Sequence, residues 1–137
     1  LAGRSIGVLF REGGETAFRE VEQEALALQL SAGDPIVLST GGGVLERDVN
    51  RLALARSATV VWLRATPETL AARVGDPAGR PLLADGEPLE VLKRLAVERG
   101  PTYESAADVV LDTDCLTVAE VGSLVLEAVS TAGGASL

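Results

Sequence analysis

The chain has no histidine, one cysteine and one lysine, and aromatics make up only 3% of its 137 residues. Without histidine, and with Cys115 alone, it lacks the donor set that zinc or another soft metal requires. A single cysteine also excludes an internal disulfide and fits a reducing, cytoplasmic setting. No apolar run reaches spanning length and no secretory signal is read in it, so no membrane partner is expected. With so few aromatics, the core of a chain that is 47% apolar must be Val, Leu, Ile and Ala, a mixture suited to α/β layers. Positive charge is scarce too: twelve Lys and Arg against twenty Asp and Glu give a net charge of −8. There is no basic stripe, which argues against nucleic acid as a partner. Lys93 apart, the cations are arginines, scattered so that each could meet a small anion.

What is present is organised around Pro35-Ile36-Val37-Leu38-Ser39-Thr40-Gly41-Gly42-Gly43-Val44. An unalternating apolar run reads as a strand buried on both faces of a parallel sheet. The three glycines end it and let the backbone approach a ligand that a Cβ would hold off. Residues 44–52 then read as a helix. Strand, glycine turn and helix start together would place free N–H groups at the carboxyl edge of a sheet, where α/β proteins bind ligands. A tight turn with no ligand is the alternative.

The length fits one domain, over residues 1–129, with a tail at 130–137 expected to be disordered. A short helix or turn is expected up to Gly13-Gly14 and a helix over 15–30, closed by Gly33. Further strands are read at 58–63 and 108–111, with helices from Thr66-Pro67 to Arg73, over 89–98 and over 117–129. Residues 74–88, rich in Gly, Pro and Asp, form the one long irregular segment. The alternation predicts a three-layer α/β/α fold whose three strands are parallel, with Trp62 packed on a helix.

Three arginines stand beside breaks in this pattern. Arg19 shares a helix face with Glu22 and Glu15, and a buried Arg held by carboxylates makes a rigid fork for an acid or for hydroxyls; a solvated ion pair is the alternative. Arg80, between Gly79 and Pro81, suits a lid that swings an arginine onto a phosphate, or a plain surface loop. Arg99 precedes Gly100-Pro101, where a cation also simply favours the helix dipole.

Taken together, these stretches resemble the shikimate kinase family. Gly3-Arg4-Ser5-Ile6 with Phe10, then Gly14-Glu15 and Phe18-Arg19-Glu20-Val21-Glu22, is similar to the start of that family's acceptor region, here about 1–57. Ser39-Thr40-Gly41-Gly42-Gly43 is similar to its glycine loop. Arg73 with Arg80-Pro81-Leu82-Leu83 resembles its lid, about 74–88, and Glu98-Arg99 with Pro101 and Tyr103 its later substrate arginine. The resemblance implies ATP-dependent phosphorylation of the 3-hydroxyl of shikimate, a step toward chorismate and the aromatic amino acids. It implies that Arg19 and Arg99 hold the substrate carboxylate and that Glu22 orients Arg19. Gly41, Gly42 and Gly43 would contact ring hydroxyls and the transferring phosphate. Arg80 would be the catalytic arginine over the phosphates, and Arg73 would lie on the adenine side of the nucleotide.

The departure from the family is a missing strand, P-loop (G-x-x-x-x-G-K-S/T) and helix, and a second strand ending in Asp-x-Asp. Lys93 sits mid-helix and cannot serve as the P-loop lysine, and Asp112-Thr113-Asp114 follows the wrong strand and reads as a look-alike. ATP and Mg²⁺ are therefore expected in the complete enzyme, at sites mostly outside this chain. The first residue is Leu1 rather than methionine, so the natural N-terminus is expected upstream. The lost first strand is central in the family's sheet order, which should leave an edge unpaired on strand 35–39 or 58–63, open to the absent segment or another chain. Three readings follow: the acceptor-binding and lid part of a shikimate kinase, inactive alone; a non-catalytic module binding a shikimate-like acid; or a kinase of another sugar acid such as gluconate.

Overall fold

Where apolar residues recur at helical spacing the chain is helical, and the strands are few and short. In the computed structural model, which describes residue 3 and residues 5–74 and 87–133, helix α1 spans Ile6–Ser31. Ser5 caps it by accepting from the Val8 N–H. Gly14, at φ 67°, bends it where the sequence suggests two helices, a conformation costly for a residue with a Cβ. Phe10 and Phe18 meet across the bend at 4.8 Å between ring centroids.

Residues 44–52 do not form one helix. Val44–Glu46 is a single 3₁₀ turn, Arg47 is extended, and α2 begins anew and covers Asp48–Ser57. Strand β1 is Val61–Arg64, α3 is Pro67–Val74, α4 is Pro88–Ala106, β2 is Val109–Asp112 and α5 is Val118–Gly133. Helix α4 runs eight residues beyond the expected end at 98, through Gly100 and Pro101. Pro101 removes one helical hydrogen bond, but Tyr103 and Ala106 beyond it pack on the core, and that burial holds the last turns in place. The expected tail at 130–137 begins as helix: residues 130–133 are the end of α5, whose start is closed by a Thr117–Glu120 capping box. The expected lid, with Arg80, falls almost wholly outside the described residues.

β1 and β2 pair in parallel, Val61 with Val109 through Arg64 with Asp112, and α3 and α4 lie between them in the chain. This is the parallel α/β arrangement expected, with one correction. Residues 35–39 pair with no strand among the described residues, and Val37 is 99% exposed. Their apolar, β-branched sequence has the propensity, but a strand exists only with a neighbour to share its hydrogen bonds, and neither β1 nor β2 pairs with these residues. Trp62 on β1 does pack on a helix, its ring set edge-on to Tyr103 of α4 at 5.5 Å.

The core gathers Leu26 of α1, Val44 and Leu45 of the 3₁₀ turn, and Leu54 of α2, with Leu30, Val60, Tyr103 and Ala106 against them. The turn after the glycines is thus a core element, and its polar backbone must be satisfied there. Asn50, 3% exposed, donates from Nδ2 to the Val44 carbonyl at 2.9 Å. Replacing Asn50 with Ala leaves that carbonyl unsatisfied. Urea denaturation of the Asn50→Ala chain is expected to show a loss of about 1–3 kcal/mol, and an unchanged midpoint would contradict this account of the turn.

Candidate functional site

Past the bend at Gly14, α1 carries Glu15, Arg19 and Glu22 on one face, as their spacing dictates. Arg19 is buried to 7% exposure. Its Nη1 donates to Glu22 at 2.7 Å and its Nη2 to Glu15 at 3.0 Å, while Nε lies 3.5 Å from a Glu46 oxygen. Burial alone would lower the affinity of this guanidinium for its proton. The hydrogen bond and charge of Glu22, then Glu46 and Glu15, outweigh that and raise its pKa above the ordinary value, so it is a fixed cation.

The glycine loop lies directly against this cation. A Cβ on Gly43 would overlap the Arg19 guanidinium, one on Gly41 would come within 2.8 Å of Glu22 Oε1, and one on Gly42 would crowd Tyr103 and Arg99 at 3.2 and 3.3 Å. Glycine is needed here for space, since Gly43 has an ordinary φ of −96°. The loop's carbonyls are all engaged. Gly41 accepts from Val44 N–H, Gly43 from Glu46 N–H, Gly42 from the Tyr103 hydroxyl, Val44 from Asn50 and Leu45 from Arg51. Among the described residues, the N–H groups of Gly41, Gly42 and Gly43 meet no acceptor. Carbonyls tied back and N–H groups free is what an anion or a hydroxyl oxygen would use.

Arg99 reaches the same place from α4. Its Nη2 donates to Glu46, so one carboxylate touches both arginines, through different oxygens. Burial raises the Tyr103 pKa, opposed in part by the charge of Arg99. Of the residues singled out from the sequence, Arg19, Glu22, Gly41, Gly42, Gly43 and Arg99 therefore meet. A shallow cleft of about 160 Å³ opens beside them, with Glu22, Leu38, Ser39, Thr40 and Gly41 among its walls.

Arg73 is elsewhere: from the last turn of α3 it donates to the hydroxyl and carbonyl of Thr113, the residue just after β2. Arg80 lies outside the described residues. The acidic look-alike is structural on both sides. Asp112 takes a two-pronged ion pair from Arg64, which lowers its pKa. Asp114 accepts from Thr66 N–H and Oγ1 at the start of α3, and bonds to Thr69 and Thr66 hold its pKa down as well. Sequence reasoning missed Glu46. The stretch 44–52 read as one helix and singled out no acid in it; the chain instead breaks at Arg47, and Glu46, at the end of the 3₁₀ turn, reaches both arginines.

The fold and the site define, as a class, a parallel α/β domain with a glycine turn and two arginines against it. The family model described as "Shikimate kinase" matches residues 1–130. Among relatives, the shikimate kinase of Stenotrophomonas maltophilia is 43% identical over 119 residues, 87% of this chain and 66% of that protein. That of Symbiobacterium thermophilum is 40% identical over 134 residues, 96% of this chain and 76% of the relative. Among solved structures, a shikimate kinase from Acinetobacter baumannii in complex with shikimate superposes with a TM-score of 0.89 at 29% identity, over 94% of this chain and 72% of that one. One from Bacteroides thetaiotaomicron gives 0.79 at 26%, over 95% and 76%. The chain belongs to the shikimate kinase family. It spans between about two thirds and three quarters of the length of these proteins.

Tyr103 is the only tyrosine, so its ionisation can be read alone. A raised pKa means that the stability it contributes is whole below the ordinary value of 10.0 and is lost as pH rises through the folded value. Absorbance at 295 nm should show phenolate forming above pH 10.0 in the folded chain and near it in urea. Equal midpoints in both states would remove Tyr103 from the buried position described.

Proposed function

We propose that this chain forms the acceptor-binding part of an enzyme that phosphorylates the 3-hydroxyl of shikimate at the expense of ATP. The observation that carries the reading is the meeting of Arg19 and Arg99 against a glycine loop whose N–H groups are free. In this reading Arg19 and Arg99 hold the substrate carboxylate, with Glu22 and Glu15 fixing the fork of Arg19 so that little freedom is lost on binding. The N–H groups of Gly41, Gly42 and Gly43 take ring hydroxyls and set the reacting one in place, which is the positioning part of phosphoryl transfer.

The family implies ATP and Mg²⁺. Among the described residues no group of three His, Cys, Asp or Glu could hold a metal ion. The sequence contains no P-loop signature, and Lys93 is exposed on α4, paired with Glu90 at 3.1 Å. In this reading the Mg²⁺ and triphosphate sites lie mostly on the P-loop segment that this sequence lacks. Arg73 and Arg80 remain the arginines proposed for the nucleotide side. Among the described residues no helix is long and apolar enough to cross a membrane. The partners proposed are shikimate and ATP, with the absent N-terminal segment or another chain on the exposed strand edge.

Calorimetric titration of the chain with shikimate tests the acceptor reading, with gluconate as the rival acid. Shikimate is expected to bind and gluconate to bind far more weakly. The Arg19→Ala variant should lose about 2–5 kcal/mol of shikimate binding, the usual cost when a buried charge pair loses one partner. Equal binding by the Ala variant, or a preference for gluconate, would refute it. With shikimate, ATP and Mg²⁺, coupled ADP release by the 137-residue polypeptide should stay at background, because the phosphate cradle on which the rate depends is not in its sequence; turnover at ordinary kinase rates would place the nucleotide site among these residues after all.

A further inference from the structure

The two arginines of the acceptor site are not waiting as free charge. Arg19 and Arg99 are met by Glu15, Glu22 and Glu46, two cations against three carboxylates, so the cluster as built is net negative. An acid seated on both guanidiniums would add a further negative charge unless one carboxylate withdraws. The three are not equivalent. Glu15 and Glu22 stand one turn either side of Arg19 on its own helix, each within hydrogen-bond distance of it. Glu46 comes from the short turn after the glycine loop, and it alone touches both arginines. Its contact with Arg19, at 3.5 Å, makes no hydrogen bond. The Arg19 Nε–H is buried with no acceptor among the described residues, although it faces that carboxylate. Such a donor costs free energy until an acceptor reaches it. The Glu46 side chain, 40% exposed, can turn out to water, as can that of Glu15 at 47%, whereas that of Glu22, at 13%, cannot; of the two that can, only Glu46 lies on both arginines.

We propose that Glu46 is the displaceable counter-ion of the two-arginine site. It draws Arg19 and Arg99 together and yields them to the carboxylate of the incoming acid, so its charge sets the affinity and selectivity of the site for acids. The inference rests on the acceptor reading above. The exchange is of like for like: one carboxylate leaves the guanidiniums as another arrives, and the newcomer, unlike Glu46, is free to align with the orphan Nε–H. What binding gains is reduced by what the Glu46 pair was worth.

The test compares the wild-type chain with Glu46→Gln and Glu46→Ala, titrated calorimetrically with shikimate and with its methyl ester, which keeps the hydroxyls and lacks the charge. Both variants should bind shikimate about two- to fivefold more tightly, the range set by partly exposed ion pairs, while the ester binds all three chains alike. Glu46→Gln is isosteric and can still accept from Arg99, so the comparison does not depend on the Ala variant folding. Shikimate binding that is unchanged or weaker in Glu46→Gln would overturn the proposal and make Glu46 a fixed part of the site. Equal tightening for acid and ester would overturn it in favour of simple added room. If the wild-type chain binds no shikimate at all, the acceptor reading itself falls, and this inference with it.

Discussion

The structure around the candidate site depends on one constraint, the burial of the Arg19 guanidinium. A cation at 7% exposure is tolerable only if carboxylates and backbone close around it. That requirement places Glu15 and Glu22 one turn either side of it on α1. It draws Glu46 from the following turn, and it forbids any side chain at Gly43. Glu22 in turn fixes what can stand at Gly41. The glycine loop is therefore shaped from below by a charge cluster, not left open as a flexible linker.

From above, the loop is held by its carbonyls. Tyr103, Asn50 and Arg51 each take one, and the turn's own N–H groups take two more. Val44 and Leu45 then anchor it in the core beside Leu26 and Leu54. Packing and hydrogen bonding thus converge on the same five residues. A loop immobilised in this way holds its free N–H groups in fixed positions before any ligand arrives, which is the condition under which backbone donors are worth most. Tyr103 links this arrangement to the sheet, since the same side chain that meets Gly42 also carries the Trp62 ring of β1.

Much of this was legible in the sequence, for identifiable reasons. The spacing of Arg19 and Glu22 can place them on one helix face only, and the Gly41–Gly43 run, Trp62 and the two paired strands each carried a strong local signal. The strand expected at 35–39 failed because strand propensity says nothing about whether a partner is at hand. The end of α4 was placed too early because Gly100-Pro101 reads as a stop. Burial of Tyr103 and Ala106, a tertiary effect, overrides it. Glu46 was missed for a related reason. Its role follows from a break at Arg47 that has no glycine or proline to announce it, and from an arginine 53 residues away. The Asp112-Thr113-Asp114 motif was rightly set aside, because its carboxylates are spent on Arg64 and on the start of α3.

The central claim is that Arg19, Arg99 and the glycine loop act as one binding site. Titrating the ¹⁵N-labelled chain with shikimate, while following backbone amides and arginine Nε–H signals, tests it most directly. The account predicts that Gly41, Gly42, Gly43 and the Nε–H groups of Arg19 and Arg99 shift together along a single isotherm, with the Arg19 signal moving as its orphan donor gains an acceptor. Shifts centred on α5 or the β1–β2 edge, with those five groups unmoved, would contradict it.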